Sequence, residues 1–314
     1  MLRAILLGIV QGITEFLPIS SSAHLSIVPR LLGYSTPTLA FEVLLHFGTL
    51  AAVAAYFARD LWAFVLCLVA PGRLGPEEAA TRRRLLGLLA LASVPAAAVG
   101  FLLQDWADQQ TARPLRASVW LVLTTVIMIA AELYDRSRRA RPAPVSAPGE
   151  LEGGEEEAPA GRAGTRVQRH HGRGPGTVTD PLDAQQELQR LPVAKATGIG
   201  LGQALALIPG TSRSGITISV GLFEGVSRET AARFSFLLSI PAILGAGILK
   251  LGDLSGATET SAELLAGTIA AAVSGFLAVS FLIRLLRTRT LWPFIWYRLV
   301  AGTLFVLLLS TVRS

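Results

Sequence analysis

Two short stretches of this sequence place polar and ionisable side chains among apolar neighbours. The first runs from Gln11 through Glu15 and Pro18 to Ser20-Ser21-Ser22-Ala23-His24; the second is Pro209-Gly210-Thr211-Ser212-Arg213-Ser214-Gly215-Ile216-Thr217. Gln11 and Glu15 stand four apart, hence on one helix face. Their oxygens suit a hard divalent cation. Ser21 and His24, three apart, offer a nucleophile and a group for proton transfer. Arg213 presents a planar fork for phosphate oxygens. Its glycine-rich loop and the start of the helix that follows favour an anion. Glu42 and His46, again four apart, lie in the next apolar block, and Glu42 is a further candidate cation ligand.

Each group also has a plainer reading. Ser20, Ser22, Thr211, Ser212, Ser214 and Thr217 could bind phosphate, or simply cap broken helices. Glu15 and Arg213 could form a buried structural ion pair. The constellation argues otherwise, because ionisable residues at membrane depth are expensive and usually functional. A carboxylate, an imidazole, hydroxyls, an arginine and glycine turns together point to phosphoryl chemistry. Attack on phosphorus would come from Ser21 or a water. His24 or Glu15 would move the proton, while Arg213 and a cation neutralise developing charge.

The elements that must hold these groups are membrane helices. Of the 314 residues 51% are hydrophobic and 16% charged, against about 25% charged in soluble domains. Six apolar runs are long enough to span a bilayer: 39–58, 84–103, 116–134, 229–250, 263–286 and 292–310. Residues 61–70 are too short and belong at the interface or on a neighbouring helix. The start could pass for a signal peptide, but Gln11, Glu15 and the apolar segments beyond argue for a membrane segment. The segments 3–32 and 196–223 break at Pro18 and Pro209. Each half is too short to cross at 1.5 Å per residue. Non-helical backbone at that depth must be buried or line a wet cavity, so both read as re-entrant helix–loop–helix hairpins.

The two breaks open an internal repeat. Pro18-Ile19-Ser20-Ser21-Ser22 parallels Pro209-Gly210-Thr211-Ser212-Arg213, and Phe41-Glu42-Val43-Leu44-Leu45 parallels Phe234-Ser235-Phe236-Leu237-Leu238. The expected fold is therefore an all-α polytopic membrane protein. Its inverted-topology repeat has a first half at 1–134 and a second at 193–314, each a hairpin plus three spans. Basic residues orient it. With both termini outside, twenty Arg and Lys fall inside and six outside, while Arg213 and Arg298 stay within the membrane. The hairpins then enter from opposite faces and can meet near the midplane.

Residues 135–192 differ in kind. They are rich in Pro, Gly, Arg and Glu, and read as a disordered cytoplasmic linker, with His170 and His171 part of a solvated tail rather than a metal site. The net charge of +6 sits at helix ends, which favours membrane orientation over nucleic acid. The lone Cys67, inside an apolar run, excludes a disulfide framework and reads as packing.

The segments QGITEFLPISSSAHL (11–25), FEVLLHFGTLAAV (41–53), PGTSRSGIT (209–217) and FSFLLSIPAIL (234–244) resemble the undecaprenyl-diphosphatase family associated with bacitracin resistance. The resemblance covers nearly the whole chain outside the linker. It implies removal of the terminal phosphate from undecaprenyl pyrophosphate, an isoprenoid lipid of the bilayer, with Mg²⁺ or Ca²⁺. That recycles the carrier lipid for peptidoglycan in the bacterial inner membrane, with the active site facing outward. The family's (Glu/Gln)-x-x-x-Glu motif falls on Gln11 and Glu15, its Ser and His on Ser21 and His24, and its PG-x-SR-S-x-x-T motif on Pro209, Gly210, Ser212, Arg213, Ser214 and Thr217. Many members carry Glu where this chain has Gln11, so Glu42 is a candidate to compensate. A transporter or flippase of the carrier lipid phosphate is the competing class, since broken-helix repeats also suit alternating access. Lipid chain length, preferred cation and homo-oligomeric state stay open.

Overall fold

The computed structural model describes residues 1–103, 113–140, 181–250 and 258–311, together with 106, 109 and 252. Among these residues the structure is helical, with no strand. Twelve α-helices follow in order: α1 Leu2–Phe16, α2 Ser21–Leu31, α3 Leu39–Tyr56, α4 Ala58–Val69, α5 Pro76–Leu102, α6 Pro114–Ala140, α7 Pro181–Gln189, α8 Val193–Leu205, α9 Arg213–Phe223, α10 Arg228–Leu249, α11 Ser261–Leu286 and α12 Trp292–Thr311.

Six of them, α3, α5, α6, α10, α11 and α12, are long and apolar enough to cross a membrane. Each overlaps one of the six expected spans, and α5 and α6 run further. Large apolar side chains such as Leu265, Val273, Leu277, Trp296 and Val300 stay more than half exposed on their outer faces, which water would penalise and lipid accepts. The chain is a multi-pass membrane protein.

The remaining helices are short for physical reasons. Helix α1 ends where Leu17 turns extended ahead of Pro18, which has no N–H to continue the ladder. Ser20 then takes φ 74°, the one positive-φ non-glycine position described. In the second break Gly210 takes φ 92°, and a Cβ there would overlap the Ala117 carbonyl oxygen. Only glycine fits. Ser212 caps α9 by accepting the Gly215 N–H at 3.2 Å. The 15, 11, 13 and 11 residues of α1, α2, α8 and α9 reach only about 16–22 Å, less than a bilayer's apolar core.

Packing crosses between the halves. Helix α1 lies along α11, and α8 lies along α5, so each hairpin's first arm is held by a span from the other half. Contact is close: a Cβ on Gly12 would overlap the Ser274 hydroxyl. The main core gathers Phe16, Phe57, Phe234, Phe236, Met128 and Val279 between the two hairpins. At one end, Glu132 and Asp135 of α6 meet Arg228 of α10 and the Leu291 N–H. At the other, Arg3 and Thr38 meet Glu259, and Arg3 also donates to the Thr36 carbonyl.

The expected linker needs correction at both ends. Residues 135–140 continue α6, because Asp135 is fully buried against Arg138, Arg139 and Arg228. Residues 181–189 form α7, which buries Ala184 and Leu188 against the body, followed by Leu191. Glu187 of α7 accepts from the Ser227 N–H and the Thr230 hydroxyl, and so ties α7 to the start of α10, which Ser227 caps. These sparse apolar residues were averaged away by their polar neighbours. The middle of the linker, including His170 and His171, lies outside the described residues.

Candidate active site

The two hairpin turns touch. The Gly210 N–H donates to Ser22 Oγ at 3.1 Å, and Arg213 Nη2 donates to Glu15 Oε1 at 3.1 Å. Glu15 sits in the last turn of α1, and Arg213 opens α9. The other Glu15 oxygen, Oε2, accepts from Ser21 Oγ at 2.7 Å and Gln11 Nε2 at 3.2 Å. His46 Nε2 of α3 lies 3.8 Å from the same oxygen. Burial of a lone carboxylate would be prohibitive, and these donors together with Arg213 offset that cost.

A cavity of about 300 Å³ opens from this cluster. Its inner end is polar, formed by Glu15, Ser21, Ser22, Thr211, Ser212 and Arg213. Its walls are mainly apolar, with Val43 and Phe47 of α3 facing Ala242, Ile243 and Ala246 of α10. Glu42 and Lys250 lie along the same walls, and the cavity extends to Leu39 at the start of α3 and Lys250 just past the end of α10. A polar pit with apolar walls accommodates an anionic head on a hydrocarbon tail.

The predicted residues sort into three groups. Glu15, Ser21, Ser22, Thr211, Ser212, Arg213 and Glu42 line the cavity. Gln11, Ser20, Gly210, Ser214 and Thr217 lie behind it. Thr217 shares a hydrogen bond with Ser235 Oγ at 2.5 Å and donates to the Arg213 carbonyl at 2.8 Å. Ser20 pairs with Ser22 and Ser214 with Ser212. These residues shape the turns rather than face the cavity.

His24 stands apart from the residues that line the cavity. Nδ1 lies 2.7 Å from the Ser20 carbonyl and Nε2 2.7 Å from the Tyr297 hydroxyl. The ring stacks on Tyr297 and meets Phe305 edge-on. Nε2 is engaged by α12 and Nδ1 by the hairpin's own turn, and the ring does not line the cavity. Three-residue spacing puts Ser21 and His24 near one face, but Ser21 is the first residue of α2 and its side chain leans back to Glu15. The imidazole at the cavity is His46. Its signal in the sequence was the Glu42–His46 pair inside an apolar helix.

Two buried oxygens here lack partners: Gln11 Oε1, beside Glu15, and Thr211 Oγ1, on the cavity wall. Buried polar groups are ordinarily satisfied, so each is an unused acceptor next to the cavity. Among the described residues no group of three or more His, Cys, Asp or Glu is gathered tightly enough to hold a metal unaided. The donor chemistry nonetheless suits a hard cation completed by other oxygen ligands: the Glu15 and Glu42 carboxylates, the free Gln11 amide oxygen and the Ser21 hydroxyl.

A family model described as bacitracin resistance protein BacA matches residues 4–304. The undecaprenyl-diphosphatase of Alcanivorax borkumensis is 40% identical over 309 residues, covering 96% of each chain. That of Geobacter sulfurreducens is 39% identical over 306 residues, covering 96% of this chain and 95% of the relative. That of Pelotomaculum thermopropionicum is 37% identical over 312 residues, covering 99% and 97% respectively. With its broken helices and joined polar turns, this chain belongs to the bacitracin resistance protein BacA family.

Proposed function

We propose that this protein hydrolyses undecaprenyl pyrophosphate to undecaprenyl phosphate and inorganic phosphate. This would recycle the carrier lipid for peptidoglycan synthesis and counter bacitracin. The observation that carries the reading is the Glu15–Arg213 contact across the two turns, at the polar end of an apolar-walled cavity, in a chain similar throughout to undecaprenyl-diphosphatases.

The chemistry follows from the cluster. The Ser21 hydroxyl already donates to Glu15 Oε2, so Glu15 is placed to accept its proton as Oγ attacks the terminal phosphorus. The new Ser–O–P bond forms as the phosphoanhydride bond breaks, and the lipid monophosphate leaves. Glu15 passes that proton to the departing lipid phosphate, then deprotonates the water that attacks phosphorus and returns the proton to Ser21 Oγ as phosphate leaves. Arg213 faces the phosphoryl oxygens as charge shifts onto the leaving group. His46 supplies the imidazole for relaying protons at the cavity. In a variant route Glu15 activates a water directly. A divalent cation, Mg²⁺ or Ca²⁺, would be held by Glu15, the Gln11 amide oxygen and Glu42, and when bound would neutralise pyrophosphate charge.

The cavity extends toward the end where α3 begins and α10 finishes. The opposite end carries most of the basic residues of the chain, which the positive-inside rule assigns to the cytoplasm. This supports an outward-facing active site in the bacterial cytoplasmic membrane, with the linker inside. The test is phosphate release from undecaprenyl pyrophosphate by detergent-purified protein, with and without Mg²⁺ or Ca²⁺, beside Glu15→Ala and Arg213→Ala. Cation-dependent release lost in both variants supports the reading. A well-folded wild type releasing no phosphate refutes it.

A further inference from the structure

Arg298 lies in the second turn of α12 and is 1% exposed, among the largest fully buried side chains described. Its partners are the Thr125 hydroxyl at 2.8 Å, the Thr124 hydroxyl at 2.5 Å, the Leu121 carbonyl at 2.9 Å and the Pro18 carbonyl at 3.3 Å. All four are neutral, and among the described residues no carboxylate is a hydrogen-bond or ion-pair partner of Arg298. Arginine does not escape this by losing its proton, and an unpaired buried charge is costly.

Its place in the fold explains why such a charge is kept. The Pro18 carbonyl belongs to the first hairpin turn, two residues ahead of Ser20. On the other side, Nη1 comes within 3.3 Å of where a Cβ on Gly215 would stand, and Ser212 Cβ within 3.1 Å of the same point. The guanidinium therefore sits directly behind both turns, one layer back from the cavity. Besides the His46 imidazole, the cavity is lined by two carboxylates and two permanent cations whose formal charges cancel, Glu15 and Glu42 against Arg213 and Lys250. Arg298 is the surplus.

We propose that Arg298 is a positioning residue whose counter-ion is the pyrophosphate of the substrate: it fixes the first turn through Pro18 and leaves the joined turns one positive charge in excess until the anion enters. This rests on the reading of the cavity as a pyrophosphate site. In the low dielectric between helices, a charge one layer back still acts strongly on an anion, and it reinforces the N-terminal turn of α9.

The test compares inorganic pyrophosphate affinity by calorimetry, and thermal midpoint in detergent, for wild type, Thr124→Asp, Arg298→Gln and Arg298→Lys. Thr124→Asp keeps the arginine and its clamp but supplies an internal counter-charge. It is expected to hold or raise the midpoint while weakening pyrophosphate at least about tenfold. Arg298→Gln should weaken binding likewise, and Arg298→Lys should retain more affinity than Arg298→Gln. A wild type that binds pyrophosphate while Thr124→Asp binds it equally well overturns the proposal and reduces Arg298 to a clamp, leaving the phosphatase reading intact. A folded wild type that binds no pyrophosphate removes the phosphatase reading and this inference with it.

Discussion

Two buried acid–arginine clusters in this molecule are built on different plans. At the end opposite the cavity, Arg228 grips Glu132 in a two-pronged contact at 3.1 and 2.6 Å and reaches Asp135 at 2.8 Å. Glu132 also accepts the Leu291 N–H at 2.7 Å, and Asp135 takes Arg139 at 2.8 Å. These acids are essentially unexposed. Between the hairpin turns, Arg213 makes one 3.1 Å contact with Glu15, and its other terminal nitrogen reaches only the Ser235 carbonyl at 3.4 Å. Gln11 Oε1 and Thr211 Oγ1 beside it are unsatisfied. A saturated network locks elements together. An under-satisfied one in an open cavity leaves bonding capacity for a ligand, at the expense of stability.

Substitutions can break this contrast. Glu15→Gln should lower kcat/KM at least about a thousandfold while moving the thermal midpoint little, because the neutral amide carries no buried charge and Arg213, at the open cavity, is left within reach of water. Glu132→Ala should do the reverse, costing about 3–5 kcal/mol by breaking the buried two-pronged pair with Arg228 and leaving the Leu291 N–H without its acceptor. Denaturation in detergent would read that loss, and turnover per folded molecule should hold. Equal stability losses in both clusters would sink the distinction. Ser22→Ala, which leaves the Gly210 N–H without its acceptor, should cost about 1–3 kcal/mol and show whether the joint between the turns is mechanical. Tyr297→Phe removes the hydroxyl partner of His24 and should cost about 1 kcal/mol with activity nearly kept, as expected if His24 serves packing.

The smallest expected effect concerns the cavity end of the molecule. Burial pushes the Glu259 carboxyl up, but the Thr38 hydroxyl and amide and the Arg3 guanidinium outweigh it, so its pKa lies below the ordinary glutamate value. A depressed folded pKa stabilises above the unfolded value, and that contribution fades as pH falls through the folded one. Thermal midpoints of wild type and Glu259→Gln should therefore converge in acid, below the usual glutamate range. Parallel curves would show the carboxylate charge to be idle.

The sequence made the scaffold readable because its signals are long. A twenty-residue apolar run announces a span whatever it packs against, and a proline or glycine at membrane depth announces a break. Glu15 and Arg213 stood out because charge in such surroundings is rare. Direction was harder. Whether His24 faces the cavity or α12 depends on a few tens of degrees of rotation in the first turn of α2, which spacing does not resolve. His46 and Arg298 were visible as charged or titratable residues in apolar helices, yet the contacts that place them, to Glu15 for His46 and to Thr125 for Arg298, lie on other helices, over a hundred residues away for Arg298. Helix α7 was lost because two or three apolar contacts hold it, too few to shift local composition.

The exchange of hairpins between halves bears on how the protein is made. Helix α1 finds its glycine-faced partner in α11, which leaves the ribosome some 250 residues later. Until then Gln11 and Glu15 sit in an element too short to span, with neither the arginine nor the groove that compensates them. The N-terminal half must therefore wait unfinished, at the edge of the insertion machinery, for the rest of the chain. A damaged α11 would be felt first in α1, which packs along it, as a failure of α1 to stay inserted.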